Sequence, residues 1–481
     1  MKKSLFKIAF TTSIAALGVA CLSSCNLFKK KKTNSKTELN IVCLNLGYGR
    51  EWIDDLVSVW EAENPGYKVN LTADANANAV IQKNLYSKDN VDDLYIGNSK
   101  SWKTYAVRGL LLELDDLLNE TVDGVKVVDK INNEYKKSIY YNSHTYRLPW
   151  TSGVPGIYYN AKMFEENGWS VPTTTAELKT LCETINNANL GVLVNGKESS
   201  DTVKPFVFTG ENTDYFDYAV FTWWAQLAGK EAVDNYLKYE SAATFSSSNP
   251  AFVALGKALQ EWKDIFAVRD SNNDPKYYVK GSDGWSNHLA QQSFYNGYAA
   301  MMINCDWLYN ETLKYTDNNQ FRSGFELQIM NTPVATGAVD PNISYIVGED
   351  QYYAIPKSTI KADLAKSFIK LMISDRGIKT FAEKAHGTLA YKSTTAFTTS
   401  DKYTNSLISY LDNATKRFTN WSDSPLFLNN VIDVWTTNDL APYVRFINNP
   451  TTTTVEGYMN DLSSNANDKW NTWQTQANSS N

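Results

Sequence analysis

The chain has 481 residues, of which 43% are hydrophobic, 20% charged and 13% aromatic, with a formal net charge of −6 at pH 7. This length exceeds one ordinary core and predicts two lobes of roughly 200 residues each. The negative charge argues against nucleic acid as a partner. The 14 Trp and 29 Tyr residues exceed what packing usually requires and suit a protein that handles flat-faced ligands.

The first 24 residues are expected to be a signal peptide, because a lysine-rich start precedes a mostly apolar run at 8–20 that is too short to span a bilayer. The sequence Leu-Ser-Ser-Cys follows at 22–25 and resembles a bacterial lipobox. Cys25 is therefore the predicted lipidation site, and Cys21 is a weaker second candidate. Residues 25–37 read as a polar tether that holds the protein at the outer face of the membrane. A plain secretory signal or a short anchor is the alternative.

Besides Cys25, three cysteines remain beyond the signal, namely Cys43, Cys182 and Cys305. Three cysteines cannot all pair with one another, and none lies at metal-ligand spacing. We expect all three to be small buried apolar residues, and we expect no metal or cofactor.

The N-terminal part reads as a β-α-β unit. A mostly apolar strand at 39–46 precedes a helix that ends at Glu63, and a second strand follows at 67–71. The turn after the first strand carries side chains at the edge where α/β sheets bind ligands. These are Tyr48, Arg50 and Glu51. A strand at 92–96 is followed by a loop that carries Asn98, Ser99 and Trp102.

Residues 148–160 read L-P-W-T-S-G-V-P-G-I-Y-Y-N and combine two prolines with two glycines. Such a kinked stretch between two strands predicts a crossing from one lobe to the other. Trp150, Thr151 and Ser152 would then face a gap, and Asn160 would cap the next helix. An ordinary loop leading into a helix is the alternative.

Several helices and one buried strand are predicted in the second half. A capping box at 174–177 begins one helix, and another spans 215–228. The latter bears Trp223 and Trp224, which point in different directions, so we expect one to face the cleft and the other the core. A strand at 299–303 ends in Asn-Cys-Asp-Trp. Residues 463–481 read as a polar tail.

Three segments, together with the lipobox, resemble one family. They are the 148–160 crossing, then N-G-Y-A-A-M-M-I-N-C-D-W-L at 296–308, and then Y-A-I-P-K-S-T at 353–359 with its helix and F-A-E-K-A-H-G-T-L-A-Y-K-S at 381–393. In this order they resemble the extracellular solute-binding lipoproteins of ABC importers, in the carbohydrate class that includes maltose-binding protein.

The resemblance implies an α/β fold of two lobes joined by crossing segments, with a ligand cleft between them. Lobe one would comprise 38–150 and 331–390, and lobe two 151–330 and 391–481, with the second crossing near 329–333. It implies a monomeric receptor that captures a sugar or oligosaccharide outside the membrane and delivers it to a permease by hinge closure, without catalysis.

A sugar offers an apolar face that stacks on aromatic rings and a rim of hydroxyls that bind amide, carboxylate and guanidinium groups. Trp307 is the first candidate for stacking, since it matches the Trp of the family's M-x-I-N-G-x-W motif, in which Cys305 here replaces Gly. Asn304 and Asp306 would bind hydroxyls. The other candidate ligand-binding residues are Tyr48, Arg50, Glu51, Asn98, Trp102, Trp150, Thr151, Ser152, Trp223, Trp224, Trp285, Glu349, Asp350 and Trp421.

Two alternatives stay open at this point. One is a lipid-anchored glycoside hydrolase that uses a carboxylate pair in an aromatic cleft. The other is the same binding scaffold with a peptide or a polyamine as its ligand. The chain has no H-E-x-x-H, G-x-S-x-G or P-loop motif, which argues against catalysis, and the aromatic surplus favours a sugar.

Overall fold

A computed structural model describes residues 35–194, 197–316, 320–435 and 442–479. The expected signal peptide, the predicted lipidation site at Cys25 and most of the predicted tether lie outside these residues. Within the described ranges, no helix has both the length and the apolar character needed to cross a membrane.

The strands are β1 (Glu38–Leu44), β2 (Lys68–Asp74), β3 (Leu94–Asn98), β4 (Thr121–Val122), β5 (Val125–Lys126), β6 (Tyr140–Tyr141), β7 (His144–Thr145), β8 (Leu148–Pro149), β9 (Gly156–Asn160), β10 (Gly191–Val194), β11 (Lys197–Thr202), β12 (Lys204–Val207), β13 (Ala299–Asn304), β14 (Leu327–Ile329), β15 (Ile343–Tyr345), β16 (Gln351–Ala354) and β17 (Lys416–Phe418).

The helices are α1 (Glu51–Glu63), α2 (Ala77–Leu85), α3 (Trp102–Val107), α4 (Asp115–Asn119), α5 (Val127–Lys130), α6 (Ala161–Asn167), α7 (Thr175–Ala188), α8 (Asp214–Ala228), α9 (Lys230–Tyr236), α10 (Pro250–Phe266), α11 (Asn287–Tyr295), α12 (Leu308–Leu313), α13 (Ala362–Met372), α14 (Asp375–Ala385), α15 (Lys402–Asn413), α16 (Pro425–Leu428), α17 (Pro442–Asn448) and α18 (Val455–Ser479). Short 3-10 helices lie at Asn133–Ile139, Ala242–Phe245 and Ser282–Gly284.

The first sheet has five strands in the order β2-β1-β3-β16-β8. Strands β1, β2 and β3 run parallel, with Ile41 opposite both Leu71 and Leu94. Strand β16 returns antiparallel and places Tyr353 between Ile96 and Leu148. Strand β1 is buried along nearly its whole length, as expected for a parallel strand covered on both faces.

The second sheet has four strands in the order β12-β13-β9-β14. Strand β9 lies between β13 and β14 and is antiparallel to both, with Tyr158 opposite Met302 and Ile329. The chain leaves the first sheet at β8 and enters the second at β9, so the 148–160 stretch carries it from one sheet to the other. Isolated bridges join Thr151 to Leu389 and Gly153 to Val347 along this crossing.

The return to the first sheet comes later in the chain than the sequence pattern indicates. Residue 334 still pairs with Thr174, and the Tyr345 N–H still donates to Thr222 Oγ1 of α8 at 3.1 Å. The second crossing therefore lies closer to 346–350 than to 329–333, because hydrogen bonds hold the intervening segment against α7 and α8. The remaining lobe boundaries stay a prediction.

Local signals read from the sequence agree with the structure at several points. The Asn160 side chain caps α6 by accepting from Met163 N, and the Thr174 side chain caps α7 by accepting from Glu177 N. All three cysteines of the described chain are buried and free, which confirms that prediction.

The predicted C-terminal tail is wrong, because most of it belongs to the 25-residue helix α18. The buried side chains of this helix recur at helical spacing from Leu462 through Ala466 and Trp470 to Trp473 and Ala477. Because polar residues separate these apolar positions, the apolar face of the helix was not recognised in the sequence pattern.

The expectation that Trp223 or Trp224 faces the cleft is also wrong. Both side chains are fully buried, and each indole N–H donates at 2.8 Å to a backbone carbonyl, of Pro333 and Ala251 respectively. Helix α8 is packed between α10 and strand β15, so most of its circumference is covered and both tryptophans belong to the core.

The substitution Trp223→Ala should lower the free energy of unfolding by about 3–5 kcal/mol, since it leaves a large cavity and removes the partner of the Pro333 carbonyl. Equilibrium denaturation in urea measures this cost. Trp169→Ala is the control, because Trp169 is only partly buried and packs edge-on against Phe164. Equal costs for the two variants would contradict the assignment of Trp223 to the core.

Candidate ligand-binding cleft

A cavity of about 580 Å³ is lined by residues from both sheets and their loops, a volume typical of small-molecule sites. The carboxyl ends of strands β1 and β3 lie at this cavity. This is the edge of the sheet at which α/β proteins bind ligands. From the side of the first sheet, the lining residues are Leu44, Leu46, Gly47, Tyr48, Asn98, Lys100, Trp150, Val347, Gly348, Glu349, Asp350 and Gln351. From the other side they are Asp214, Tyr215, Asp217, Tyr218, Phe221, Asn287, Trp307, Glu311, Tyr345, Asn420, Phe427, Asp433, Val434 and Trp435.

The Tyr48 ring contacts both Trp150 and Trp307 in this cleft. The Tyr48 ring meets Trp150 at a centroid distance of 5.9 Å and Trp307 at 6.3 Å, both edge-to-face. Trp307 is held by a hydrogen bond from its indole N–H to Tyr215 Oη at 3.0 Å. The Trp150 indole N–H is buried and has no hydrogen-bond partner among the described residues.

Gly47 allows the two sides of the cleft to meet. A β-carbon at this position would lie 2.4 Å from the Trp307 β-carbon. This clash cannot be relieved by rotating a side chain, because the Trp307 β-carbon is attached directly to the backbone. Only glycine fits where the turn after β1 passes the start of α12. Gly47 is therefore required for the shape of the cleft, although the sequence analysis did not single it out.

Asp306 does not line the cleft and instead ties the crossing segments together. Its carboxylate accepts from the Tyr48 hydroxyl at 3.0 Å, from Val154 N at 3.3 Å and from Thr388 N at 3.4 Å. Burial raises the pKa of Asp306 to about 6, against the opposing effect of these hydrogen bonds. The expectation that Asp306 binds ligand hydroxyls is corrected, because its acceptor positions are occupied by the protein.

Asn304, Thr151 and Ser152 are also turned away from the cleft. The Asn304 side-chain oxygen accepts from Cys305 N, and the Thr151 hydroxyl donates to Gln351 Oε1 at 2.5 Å. The Tyr135 hydroxyl donates to Ser152 Oγ at 3.1 Å. All three residues are fully buried and stabilise the crossing rather than line the cavity.

Trp102 and Trp421 form a buried stack behind the cleft wall. Their rings lie 6.5 Å apart at an interplanar angle of 22°, and the Arg147 guanidinium lies 4.9 Å and 5.5 Å from the two ring centroids. Arg147 donates to the backbone carbonyl groups of Ser138, Glu349 and Gln351, so this unit supports the 349–351 segment from behind. Neither tryptophan lines the cavity, contrary to expectation.

Three further candidates lie elsewhere on the surface. Arg50 pairs with Asp54 one turn along α1 at 2.7 Å, and about half of each side chain is exposed. Glu51 is exposed in the first turn of the same helix. Trp285 is partly buried and is not among the residues that line the cavity. None of the three lines the cavity: of the turn after β1, Leu46, Gly47 and Tyr48 do so, whereas Arg50 and Glu51 lie at the start of α1.

The candidates that the structure brings together in the cleft are Tyr48, Asn98, Trp150, Trp307, Glu349 and Asp350. Sequence reasoning missed the face of α8 formed by Asp214, Asp217, Tyr218 and Phe221. These residues follow the i, i+3, i+4, i+7 spacing of one helix face, and that mixed acidic and aromatic stripe was the available signal. Asn420, Asp433 and Trp435 come from loops that carry no such pattern.

Burial perturbs the acids of the cleft. It raises the pKa of Glu349 to about 7, with neighbouring Asp350 as the second cause. Burial likewise raises the pKa of Asp350, Glu311 and Asp433. The pKa of Asp217 is raised well above its ordinary value even though Tyr443 and Trp435 donate hydrogen bonds to it.

Two sheets joined by crossing strands, with a ligand-sized cleft between them, define a two-lobed binding protein of the periplasmic type. The chain belongs to the bacterial extracellular solute-binding protein family, whose sequence profile matches residues 47–379. This match confirms the resemblance drawn from the three sequence segments, and the predicted α/β fold is confirmed with it.

Individual relatives are similar at low identity. The chain is 22% identical over 395 residues to the diacetylchitobiose binding protein NgcE of Streptomyces coelicolor, a match that covers 78% of this chain and 76% of that protein. It is 23% identical over 385 residues to the multiple sugar-binding protein of Streptococcus mutans, covering 79% and 81%. The apo form of RafE from Streptococcus pneumoniae has a similar fold, with a TM-score of 0.64 and 19% identity over 90% of this chain and 98% of that one.

The substitution Tyr48→Phe removes a hydrogen bond to a buried carboxylate and should destabilise the unliganded protein in a pH-dependent way. The pKa of Asp306 rises on folding from 3.8 to about 6. The protein therefore loses stability as the pH rises from about 4 to about 6, because Asp306 ionises more readily in the unfolded chain. Above about pH 6 the folded protein carries an ionised Asp306, which accepts hydrogen bonds as a carboxylate. The variant should therefore cost about 1.5–3 kcal/mol at about pH 8, where Asp306 is ionised, and about 0.5–1.5 kcal/mol at about pH 5, where it is protonated.

Denaturation curves at both pH values measure the two costs. Tyr86→Phe is the matched control, because 45% of Tyr86 is exposed and its cost should be near zero at either pH. A Tyr48→Phe cost that is equal at both pH values would contradict the proposed bond to an ionisable Asp306.

Proposed function

We propose that this protein is the substrate-binding receptor of an ABC transporter and that it captures a sugar or oligosaccharide outside the membrane. The observation that carries the proposal is one cleft in which aromatic faces, amides and carboxylates converge from both sheets. This combination suits a ring with apolar faces and a hydroxyl rim.

Each chemical feature of a sugar has a partner in the cleft. Trp150 and Trp307 offer rings for the apolar faces, and the buried Trp150 indole N–H is a donor without a partner among the described residues. Asn98, Asn287 and Asn420 supply amides that both donate and accept. The Asn420 side-chain oxygen is buried without a partner among the described residues, so a hydroxyl would satisfy it.

Delivery to a permease would follow from closure of the two lobes. A ligand that contacts both sides favours the closed state, because it binds that state more tightly. Contacts that already join the two sides, such as Trp307 against Gly47 and the Asn310 amide donating to the Ala385 carbonyl at 2.7 Å, would belong to the closed state. The hinge would be the crossing segments, and the lobes would divide at the boundaries corrected above.

The relatives add support of a coarser kind. Their names describe binding to diacetylchitobiose and to multiple sugars, and RafE has been solved in complex with raffinose. The family is one of binding proteins, and we propose that this chain likewise binds its ligand without chemical turnover, as a monomer.

A thermal-shift screen against mono-, di- and oligosaccharides tests the proposal. A sugar present at about 100 times its Kd should stabilise the protein by roughly 2.7 kcal/mol, which raises the melting temperature by about a degree or more. The sugar should be recovered intact. Consumption of the sugar would favour the hydrolase, and no shift with any carbohydrate would contradict a sugar ligand.

Once a sugar is identified, Trp150→Ala and Trp307→Ala should each weaken its binding by roughly tenfold or more, since one stacking ring contributes about 1.4 kcal/mol. Isothermal titration calorimetry measures the affinity. Trp285→Ala is the control, because Trp285 is partly buried but does not line the cleft. Unchanged affinity in the first two variants would remove these rings from the site.

We further propose that Cys25 carries the lipid that anchors the receptor to the outer face of the bacterial membrane. Cys25→Ala should move the protein from the membrane fraction to the soluble fraction, because the polar tether alone binds a membrane only weakly. Fractionation followed by immunoblotting reads out the change, and Cys43→Ala should leave the protein in the membrane fraction. Retention of the Cys25 variant at the membrane would point to Cys21 or to an uncleaved anchor.

A further inference from the structure

The cleft has a strong charge imbalance. Among the described residues, six carboxylates line it, against one lysine, Lys100. The acids come from both sides of the cavity and are Asp214, Asp217, Glu311, Glu349, Asp350 and Asp433. Clefts with walls of one sign concentrate ligands of the opposite charge.

In the described part of the chain, none of these acids is paired with a cation at contact distance, although the charges of Lys100 and Arg147 act on Glu349 and Asp350. All ion pairs found among the described residues join other acids. Lys100 lies 4.0 Å from the centroid of the Phe427 ring rather than in an ion pair. Glu311 accepts from the Gln291 amide, and Asp433 accepts from Trp435 N, so both are bound by neutral donors.

Glu349 is the least satisfied of the six. Only 8% of its surface is exposed, and its Oε2 atom is buried with no hydrogen-bond partner among the described residues. Asp350 is its neighbour along the chain and lines the same cavity. A buried carboxylate without a partner, next to a second acid, is costly, and a cation placed between the two would offset that cost.

A metal ion does not fit this arrangement. Three acidic, histidine or cysteine ligand atoms converge within 4.8 Å of one another only at Glu113, Asp115 and His144 in the described part of the chain, and none of these lines the cleft. The carboxylates of the cleft are spread over its walls instead. Spread acids suit an organic ligand that carries its positive charge on an extended frame.

We propose that the ligand of the cleft is an amino sugar with a free, protonated amine, and that Glu349 and Asp350 receive the ammonium group. The inference rests on the proposed function and narrows its ligand class. An ammonium group only donates hydrogen bonds, which matches carboxylates that lack donors. The sugar ring supplies the apolar faces for Trp150 and Trp307.

The amides of the cleft distinguish an amino sugar from a linear polyamine. The side-chain amide groups of Asn98, Asn287 and Asn420 carry donors that need acceptors when a ligand excludes water. Sugar hydroxyls accept hydrogen bonds, whereas a fully protonated polyamine does not. A polyamine would therefore leave these donors unpaired, at a cost in affinity.

Calorimetry on the purified full-length protein tests the proposal with matched ligands. Glucosamine, galactosamine and glucosamine oligomers are each compared with their N-acetyl derivatives, and glucose oligomers and spermidine complete the panel. The free amine should bind about tenfold or more tightly than its acetylated partner. This advantage should shrink between about 20 mM and about 500 mM NaCl, since salt screens charge.

The other outcomes separate the inference from the proposed function. Equal or tighter binding of acetylated or neutral sugars would overturn the inference and leave the sugar receptor standing. Binding of spermidine without any sugar would overturn both. Binding of none of these ligands would also count against both.

The variants Glu349→Gln and Asp350→Asn locate the charge effect. Each should reduce the affinity for the free amine by about tenfold or more and change that for the acetylated sugar by less than about twofold. Asp412→Asn is the control, because Asp412 is exposed and does not line the cleft. The Glu349 and Asp350 variants could instead lose affinity for the free amine and the acetylated sugar to the same extent, with unchanged melting temperatures. These acids would then contribute only to the shape of the cleft, and the proposal would be overturned.

Discussion

The buried carboxylate of Asp306 is the interaction on which the arrangement of this protein depends. It follows strand β13 of the second sheet and accepts from the neighbouring Cys305 thiol, and its more distant donors are Tyr48 from the turn after β1, Val154 from the first crossing and Thr388 from the segment after α14. An unpaired carboxylate in this position would be very costly, so each of these separate segments must reach it. One side chain thereby fixes where the two sheets meet.

The ligand cleft is a consequence of that meeting. The hydroxyl of Tyr48 reaches Asp306 while its ring contacts both Trp150 and Trp307, and Gly47 passes against the Trp307 side chain. The aromatic wall thus contains parts of both sides of the molecule. A movement of one sheet relative to the other would change the spacing of these rings, which links ligand binding to closure.

The acidic lining of the cleft restricts the choice of ligand in addition to the restriction that its shape imposes. Glu349 and Asp350 sit on a segment that Arg147 supports through backbone carbonyl groups rather than through their carboxylates. The arginine therefore holds the acids in place without pairing with them, and burial raises the pKa of both. Burying such groups without an ion pair costs stability, and a ligand of suitable charge would offset that cost.

The sequence by itself determined the α/β class, the crossing at 148–160, the caps at Asn160 and Thr174 and the part of the site that follows strands, such as Tyr48, Trp150 and Trp307. Those features depend on short-range periodicity, turn chemistry and motif order, which are local properties. Only the tertiary structure decided which side chains are buried in the core and which line the cleft. It buried Trp223, Trp224 and Asp306, and it brought α8 and the loops around Asn420 and Asp433 to the cleft. The physical reason is that burial depends on contacts between segments tens to hundreds of residues apart, about which the local sequence pattern carries no information.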